Sequence, residues 1–90
     1  MEQNSKDILI KQLLYRSLHR GCKETDFLLG KFAEDKITSL NDNELLVYKD
    51  LIEEYDGTIY DWIVGRSIAD KKYQGLIDKI KKYWGKSYNI

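Results

Sequence analysis

Proline is absent from this chain of 90 residues, and no other feature constrains its fold as much. Proline breaks the interior of helices, whereas glycine, which occurs 6 times here, commonly ends them. A chain without proline and with glycines at intervals is typical of helices separated by glycine stops. We therefore predict an all-α fold without a sheet.

Apolar spacing and capping residues divide the chain into five helical segments. A chain of this length supports one hydrophobic core, so we expect a small single-domain five-helix bundle over residues 1–90. The predicted helices cover about residues 5–19, 24–35, 42–55, 58–64 and 68–84. The third has the clearest start, with Asn41 as N-cap, Glu44 at position N3, and Leu40 placed to pack on Leu45.

Three of these segments carry apolar faces that predict the core. The second helix contributes Leu28, Leu29, Phe32 and Ala33, the third contributes Leu45, Tyr48, Leu51, Ile52 and Tyr55, and the fifth contributes Tyr73, Leu76, Ile77, Ile80, Tyr83 and Trp84. The breaks between helices are predicted from Asp56-Gly57, from a restart at Thr58 with Asp61, from Gly65, from an opening at Ser67 with Asp70, and from a stop at Gly85.

Charge and cysteine content narrow the class of partner. The 15 basic residues balance 15 acidic ones, so no field of one sign attracts nucleic acid or an anionic membrane, and we expect a protein or small-ligand partner. The lone cysteine, Cys22, excludes an internal disulfide and fits the cytoplasm. Met1–Asp7 contains no apolar run, so we expect neither a secretory signal nor a transit peptide there.

The junction between the first two helices reads Arg20-Gly21-Cys22-Lys23-Glu24, an RGxxE pattern. One interpretation is structural, because Arg20 and Glu24 each complement a helix dipole and Gly21 suits a left-handed position. The other is functional, because a turn fixed by glycine presents both charges rigidly to a partner, and arginine can contact a carboxylate or a carbonyl pair. Arg16 and Asp26 flank the turn and are expected near the same surface.

The remaining candidates are weaker. Cys22 lacks a second cysteine or a nearby base for nucleophilic chemistry, and His19 alone makes no metal site, so we expect neither an enzyme nor a metal protein. The fifth helix carries Lys71, Lys72, Lys79, Lys81, Lys82 and Lys86. Those lysines form either a solvated face or a basic amphipathic helix for a membrane, a calmodulin-like protein or a nucleic acid.

Four motifs in order carry a family resemblance: the RGxxE turn with Asp26, then Leu28-Leu29-Gly30-Lys31-Phe32-Ala33-Glu34, then Ser39-Leu40, then Tyr60-Asp61-Trp62-Ile63-Val64-Gly65. Over about residues 12–66 the chain resembles the SdhE/YgfY family, the bacterial FAD assembly factors of succinate dehydrogenase, whose mitochondrial members are called succinate dehydrogenase assembly factor two. Two positions depart from that family, since Cys22 replaces a usual methionine and Thr25 a common apolar residue.

The resemblance implies a five-helix chaperone that binds the flavoprotein subunit of succinate dehydrogenase, or of fumarate reductase, and promotes covalent attachment of FAD to it. It implies that Arg20, Gly21 and Glu24 contact this client, with Asp26 and Arg16 as neighbours. FAD then belongs to the client, and the chain has no cofactor of its own. We expect the chain to be a monomer. Two alternatives stay open, since family members have also been described as antitoxins, and a small helical nucleic-acid binder could use the fifth helix.

Overall fold

Five α-helices joined by short turns make up most of the chain between Ser5 and Tyr88. A computed structural model of the chain describes residues 5–88, so Met1–Asn4, part of the opening segment considered above, lie outside the described residues. The helices are α1 (Ser5–Leu18), α2 (Lys23–Lys36), α3 (Asp42–Leu51), α4 (Asp56–Val64) and α5 (Gln74–Tyr88), with 3-10 turns at Ile37–Ser39 and Lys71–Tyr73. No strand occurs within residues 5–88, and the predicted all-α five-helix fold is confirmed.

The core forms where the apolar faces of the helices meet, with α2 in contact with α1, α4 and α5. The predicted face of α2 is buried as expected, and so are the predicted fifth-helix residues apart from Tyr83, which is half-buried. The indole Nε1 of Trp84 donates to the carbonyl of Leu28 at 3.0 Å, which links α5 to α2. The 3.6-residue periodicity therefore identified most of the core correctly.

Close packing of α1 on α2 depends on Gly30, which is buried. A Cβ atom at Gly30 would lie 2.6 Å from Cδ2 of Leu18, so a larger residue would force Leu18 to move. The hydroxyls of Ser17 on α1 and Tyr48 on α3 lie 2.6 Å apart, and both residues are fully buried. Burial raises the pKa of Tyr48 to about 12, against a smaller opposing effect of the hydrogen bond with Ser17.

The start of α3 matches the sequence prediction. The side chain of Asn41 accepts from the Glu44 amide at 2.8 Å, and the Glu44 carboxylate accepts from the Asn41 amide at 2.9 Å, which completes the predicted capping box. Glu44 also pairs with Lys79 on α5 at 2.7 Å. The hydrogen bond from Lys79, followed by that from Asn41, holds the pKa of Glu44 below its usual value.

The predicted end of the third helix and start of the fourth were wrong. α3 stops at Leu51 instead of Tyr55, and in the turn that follows the amides of Glu53 and Glu54 bond to carbonyls three residues back. Tyr55, predicted to face the core, is 79% exposed and takes the extended N-cap conformation of α4. Asp56 and Gly57 lie inside α4 instead of breaking it, so Thr58 does not start that helix. A carboxylate in the first turn, as at Asp56, favours helix formation through the helix dipole.

The predicted bounds of the fifth helix were also wrong, although Gly65 ends α4 as predicted and does so in the left-handed conformation. Ser67 and Asp70 do not open α5, which begins at Gln74 after the 3-10 turn. There, the amide side chain of Gln74 donates back to the Ala69 carbonyl at 3.0 Å.

The other end of α5 lies beyond the predicted stop. Gly85 does not end this helix, because it lacks the positive φ of a helix-terminating glycine. Within residues 5–88, none of the helices combines the length and hydropathy that a bilayer crossing needs.

Candidate functional site

The turn between α1 and α2 carries the RGxxE pattern, and Gly21 at its centre has φ of +102°. Only glycine adopts this backbone region without strain, so the predicted left-handed glycine is confirmed. Asp26, from the first turn of α2, holds the turn in place: its carboxylate accepts from the Arg20 amide at 2.8 Å and from the Gly21 amide at 3.4 Å. The predicted neighbour Asp26 is therefore half-buried against the turn it stabilises.

The Arg20 side chain points inward to the loop between α3 and α4. Its Nε donates to Asp56 at 2.5 Å, Nη1 to the Ile52 carbonyl at 2.6 Å and Nη2 to the Glu54 carbonyl at 2.7 Å. The side chain is only 9% exposed. All three guanidinium nitrogens thus donate hydrogen bonds within the chain. Hydrogen bonds in which one partner is charged are stronger than those between neutral groups.

Thr25 provides a second tie between the same two segments. Its side chain is fully buried, and its hydroxyl donates to the Asp56 carbonyl at 3.1 Å. The same hydroxyl lies 3.5 Å from the sulfur of Cys22, whose thiol in turn lies 3.5 Å from a Glu24 oxygen. A hydroxyl at position 25 is therefore satisfied, which explains how the turn accommodates a polar residue there.

Glu24 and Arg16 are the predicted site residues that face solvent. Glu24 is exposed at the start of α2, and no salt bridge among the described side chains involves it. Arg16 pairs with Glu53 at 2.7 Å, and both side chains are about half exposed or more. The hydrogen bond from Arg16, followed by its charge, lowers the pKa of Glu53.

The end of α1 and residues 52–56 frame an open groove of about 440 Å³. We call it the tyrosine groove, and it is lined by Tyr15, Arg16, His19, Arg20, Ile52, Glu53, Glu54, Tyr55 and Asp56. The rings of Tyr15 and His19 lie 4.3 Å apart along one wall. Glu24 lies beside a second, smaller groove with Cys22, Gly57, Tyr60, Asp61 and Arg66.

Sequence reasoning missed Asp56 and Tyr55 as parts of this surface. Asp56-Gly57 reads as a helix breaker, and Tyr55 fits the apolar spacing of α3, so no local signal marks either residue. Among residues 5–88, no group of three or more histidine, cysteine, aspartate or glutamate side chains could hold a metal ion. What the arrangement provides is a rigid surface with aromatic, acidic and basic groups suited to recognition.

Comparison with known proteins identifies the family to which the chain is similar. Residues 11–84 match the family model described as flavinator of succinate dehydrogenase. The chain is 34% identical over 64 residues to the FAD assembly factor SdhE of Coxiella burnetii, covering 70% of this chain and 78% of that protein.

Two mitochondrial proteins named succinate dehydrogenase assembly factor 2 are also similar. The one from Dictyostelium discoideum is 33% identical over 75 residues, covering 83% of this chain and 53% of the relative. The one from Komagataella phaffii is 38% identical over 63 residues, covering 70% and 33% respectively. The chain thus spans between a third and about half of these mitochondrial relatives. Because the family match covers residues 11–84 and so reaches from α1 into α5, the chain belongs to the family of flavinators of succinate dehydrogenase.

Proposed function

We propose that this chain is an assembly factor that binds the flavoprotein subunit of succinate dehydrogenase and promotes covalent attachment of FAD to that subunit. The observation that carries the proposal is the family match over residues 11–84, which includes the RGxxE turn, the whole of α2, α3 and α4, and most of α1 and α5. The corresponding subunit of fumarate reductase is an alternative client.

The proposed mechanism is a shift in the client's population of conformations. A factor that binds one state of the flavoprotein better than the others raises the population of that state by its differential affinity, about tenfold for each 1.4 kcal/mol. If the favoured state is the one competent for flavin attachment, the covalent step can be left to the client and its flavin. We accordingly propose that the chain is not an enzyme and has no cofactor of its own.

Some of the site residues are exposed and can contact the client, and the others hold the turn in place. Glu24 and Arg16 are exposed and available to the client. Arg20 and Asp26 hold the turn through hydrogen bonds within the chain, and Gly21 allows its conformation and keeps its surface free of a side chain. A surface held in this way loses little conformational entropy when it docks, which favours affinity.

The remaining attributes are proposals on the same footing. The equal numbers of acidic and basic residues support a protein partner instead of a nucleic acid or a membrane. The single cysteine supports a reducing compartment, the cytoplasm. We propose that the chain acts as a monomer.

Covalent flavin on the client provides the direct test. Flavin fluorescence of the succinate dehydrogenase flavoprotein after denaturing electrophoresis is compared in wild-type cells, in cells lacking this protein, and in cells complemented with wild type, Glu24→Ala or Glu34→Ala. We expect the signal to fall in the deletion, return with wild type and Glu34→Ala, and stay low with Glu24→Ala. Glu34 is the matched control because it is an exposed glutamate on the same helix, away from the turn.

Unchanged flavin attachment in the deletion strain contradicts the proposed function and favours the antitoxin alternative. Rescue by Glu24→Ala equal to that by wild type contradicts the role of the turn.

A further inference from the structure

Two aromatic side chains that line the tyrosine groove, Tyr15 and Tyr55, are exposed to solvent. Tyr55 is 79% exposed and Tyr15 is 59% exposed, whereas Tyr48 and Tyr73 lie in the core with 0% and 1% exposure. Tyrosine is enriched in protein interfaces because it adds a large contact area at a small cost in conformational entropy. Tyr55 is therefore a candidate contact residue outside the RGxxE pattern.

The backbone that carries Tyr55 is fixed from both sides. Arg20 binds the carbonyls of Ile52 and Glu54 and the carboxylate of Asp56, so its three hydrogen bonds bracket Tyr55 along the chain. An aromatic side chain on a backbone fixed in this way is preorganised, and docking it requires little further ordering. The inward arginine of the RGxxE turn thus positions a contact residue on a different loop.

The charges around the groove indicate the chemistry of what it binds. The groove is lined by three carboxylates, at Glu53, Glu54 and Asp56, and by two arginines, Arg16 and Arg20. Arg16 and Arg20 are paired with Glu53 and Asp56. Glu54 accepts a hydrogen bond from the Tyr73 hydroxyl at 3.1 Å but forms no salt bridge among the described side chains, so the groove keeps one negative charge that no cation pairs.

We propose that the tyrosine groove is a second part of the docking surface and receives a client segment that carries a basic side chain next to an apolar one. The apolar side chain packs between Tyr15 and Tyr55, and the basic side chain faces the Glu54 carboxylate. This inference rests on the proposed function, since the segment belongs to the flavoprotein subunit.

Affinity of the full chain for the purified flavoprotein subunit, measured by isothermal titration calorimetry, tests the inference. We expect Tyr55→Ala to weaken binding at least about tenfold, because truncation of a central aromatic contact commonly costs that much. Ile68→Ala is the matched control, because Ile68 is 85% exposed, is also apolar and does not line the groove. We expect this variant to bind within about threefold of wild type. Both substitutions remove exposed side chains, so both variants should melt close to wild type.

Ionic strength tests the charge of the partner separately. Raising NaCl from about 50 to about 300 mM should weaken binding of the wild type, because salt screens attraction between exposed charges. Glu54→Gln should reduce that salt dependence. Binding that is independent of salt, or that strengthens with it, contradicts a basic client segment.

Three results overturn the inference. The first is that Tyr55→Ala binds the flavoprotein with the affinity of the wild type while Glu24→Ala loses binding. The second is that the wild type self-associates in analytical ultracentrifugation and Tyr55→Ala does not, while both bind the client equally. This result assigns the groove to a second copy of the chain. The third is the absence of any flavoprotein binding by the wild type, which removes the proposed function together with this inference.

Discussion

Replacing Arg20 with alanine should destabilise the fold more than replacing any exposed or half-exposed charged residue in the described chain with alanine. The substitution removes one ion pair to Asp56 and two hydrogen bonds to main-chain carbonyls from a side chain that is only 9% exposed. Hydrogen bonds to charged groups contribute about 1.5–3 kcal/mol each, but they are not additive here. Asp56 is 25% exposed, so water can solvate its carboxylate after the substitution.

We therefore expect a loss of about 3 kcal/mol, at the lower end of the range for breaking a buried pair. For a domain of this size, a loss of that order lowers the melting temperature by about 12–24 °C. It is also a large part of a total stability of roughly 5–13 kcal/mol. The stability of Arg20→Lys should lie between those of the wild type and Arg20→Ala, because a lysine ammonium cannot reach three acceptors in the geometry of a guanidinium.

Thermal unfolding followed by circular dichroism measures this effect, with Arg16→Ala as the control. Arg16 also pairs with a glutamate, but that pair is exposed on both sides and should contribute at most about 1 kcal/mol. If Arg20→Ala melts within a few degrees of Arg16→Ala, the hydrogen bonds of Arg20 do not hold the two segments together. In that case Arg20 does not fix the backbone that carries Tyr55.

Two further predictions concern the turn and the core. Gly21→Ala and Gly21→Arg should lose the same stability, about 1–2 kcal/mol, because φ of +102° strains either residue while nothing lies within 4 Å of an added Cβ. Only Gly21→Arg should also weaken flavoprotein binding by titration calorimetry, and a much lower melting temperature for Gly21→Arg than for Gly21→Ala contradicts this.

Burial raises the pKa of Tyr48 to about 12 in the folded state, so the unfolded chain loses its phenolic proton first, and stability falls as pH rises from about 10 toward 12. Urea unfolding should show Tyr48→Phe less stable than wild type at pH 8, with the gap narrowing by about 1.4 kcal/mol at pH 11, whereas parallel pH profiles contradict the assignment.

Helix number, helix faces and one cap could be predicted because they depend on neighbours a few residues away. The capping box of Asn41 and Glu44 is complete within three residues, and the buried face of α2 follows directly from 3.6-residue spacing. The positive φ of Gly21 is equally local, since it is needed to turn the chain between two consecutive helices. The RGxxE pattern accordingly located the candidate site along the chain.

The orientation of that site was decided by contacts distant in sequence. The acceptors of Arg20 lie 32 to 36 residues further on, so no local pattern reveals that its guanidinium points inward. Those same bonds accompany the early end of α3 and the exposure of Tyr55, where apolar spacing alone predicted a longer helix and a buried ring. Local spacing sets which residues can share a helix face, but hydrogen bonds and burial between distant segments choose where the helix ends and which side chains face solvent.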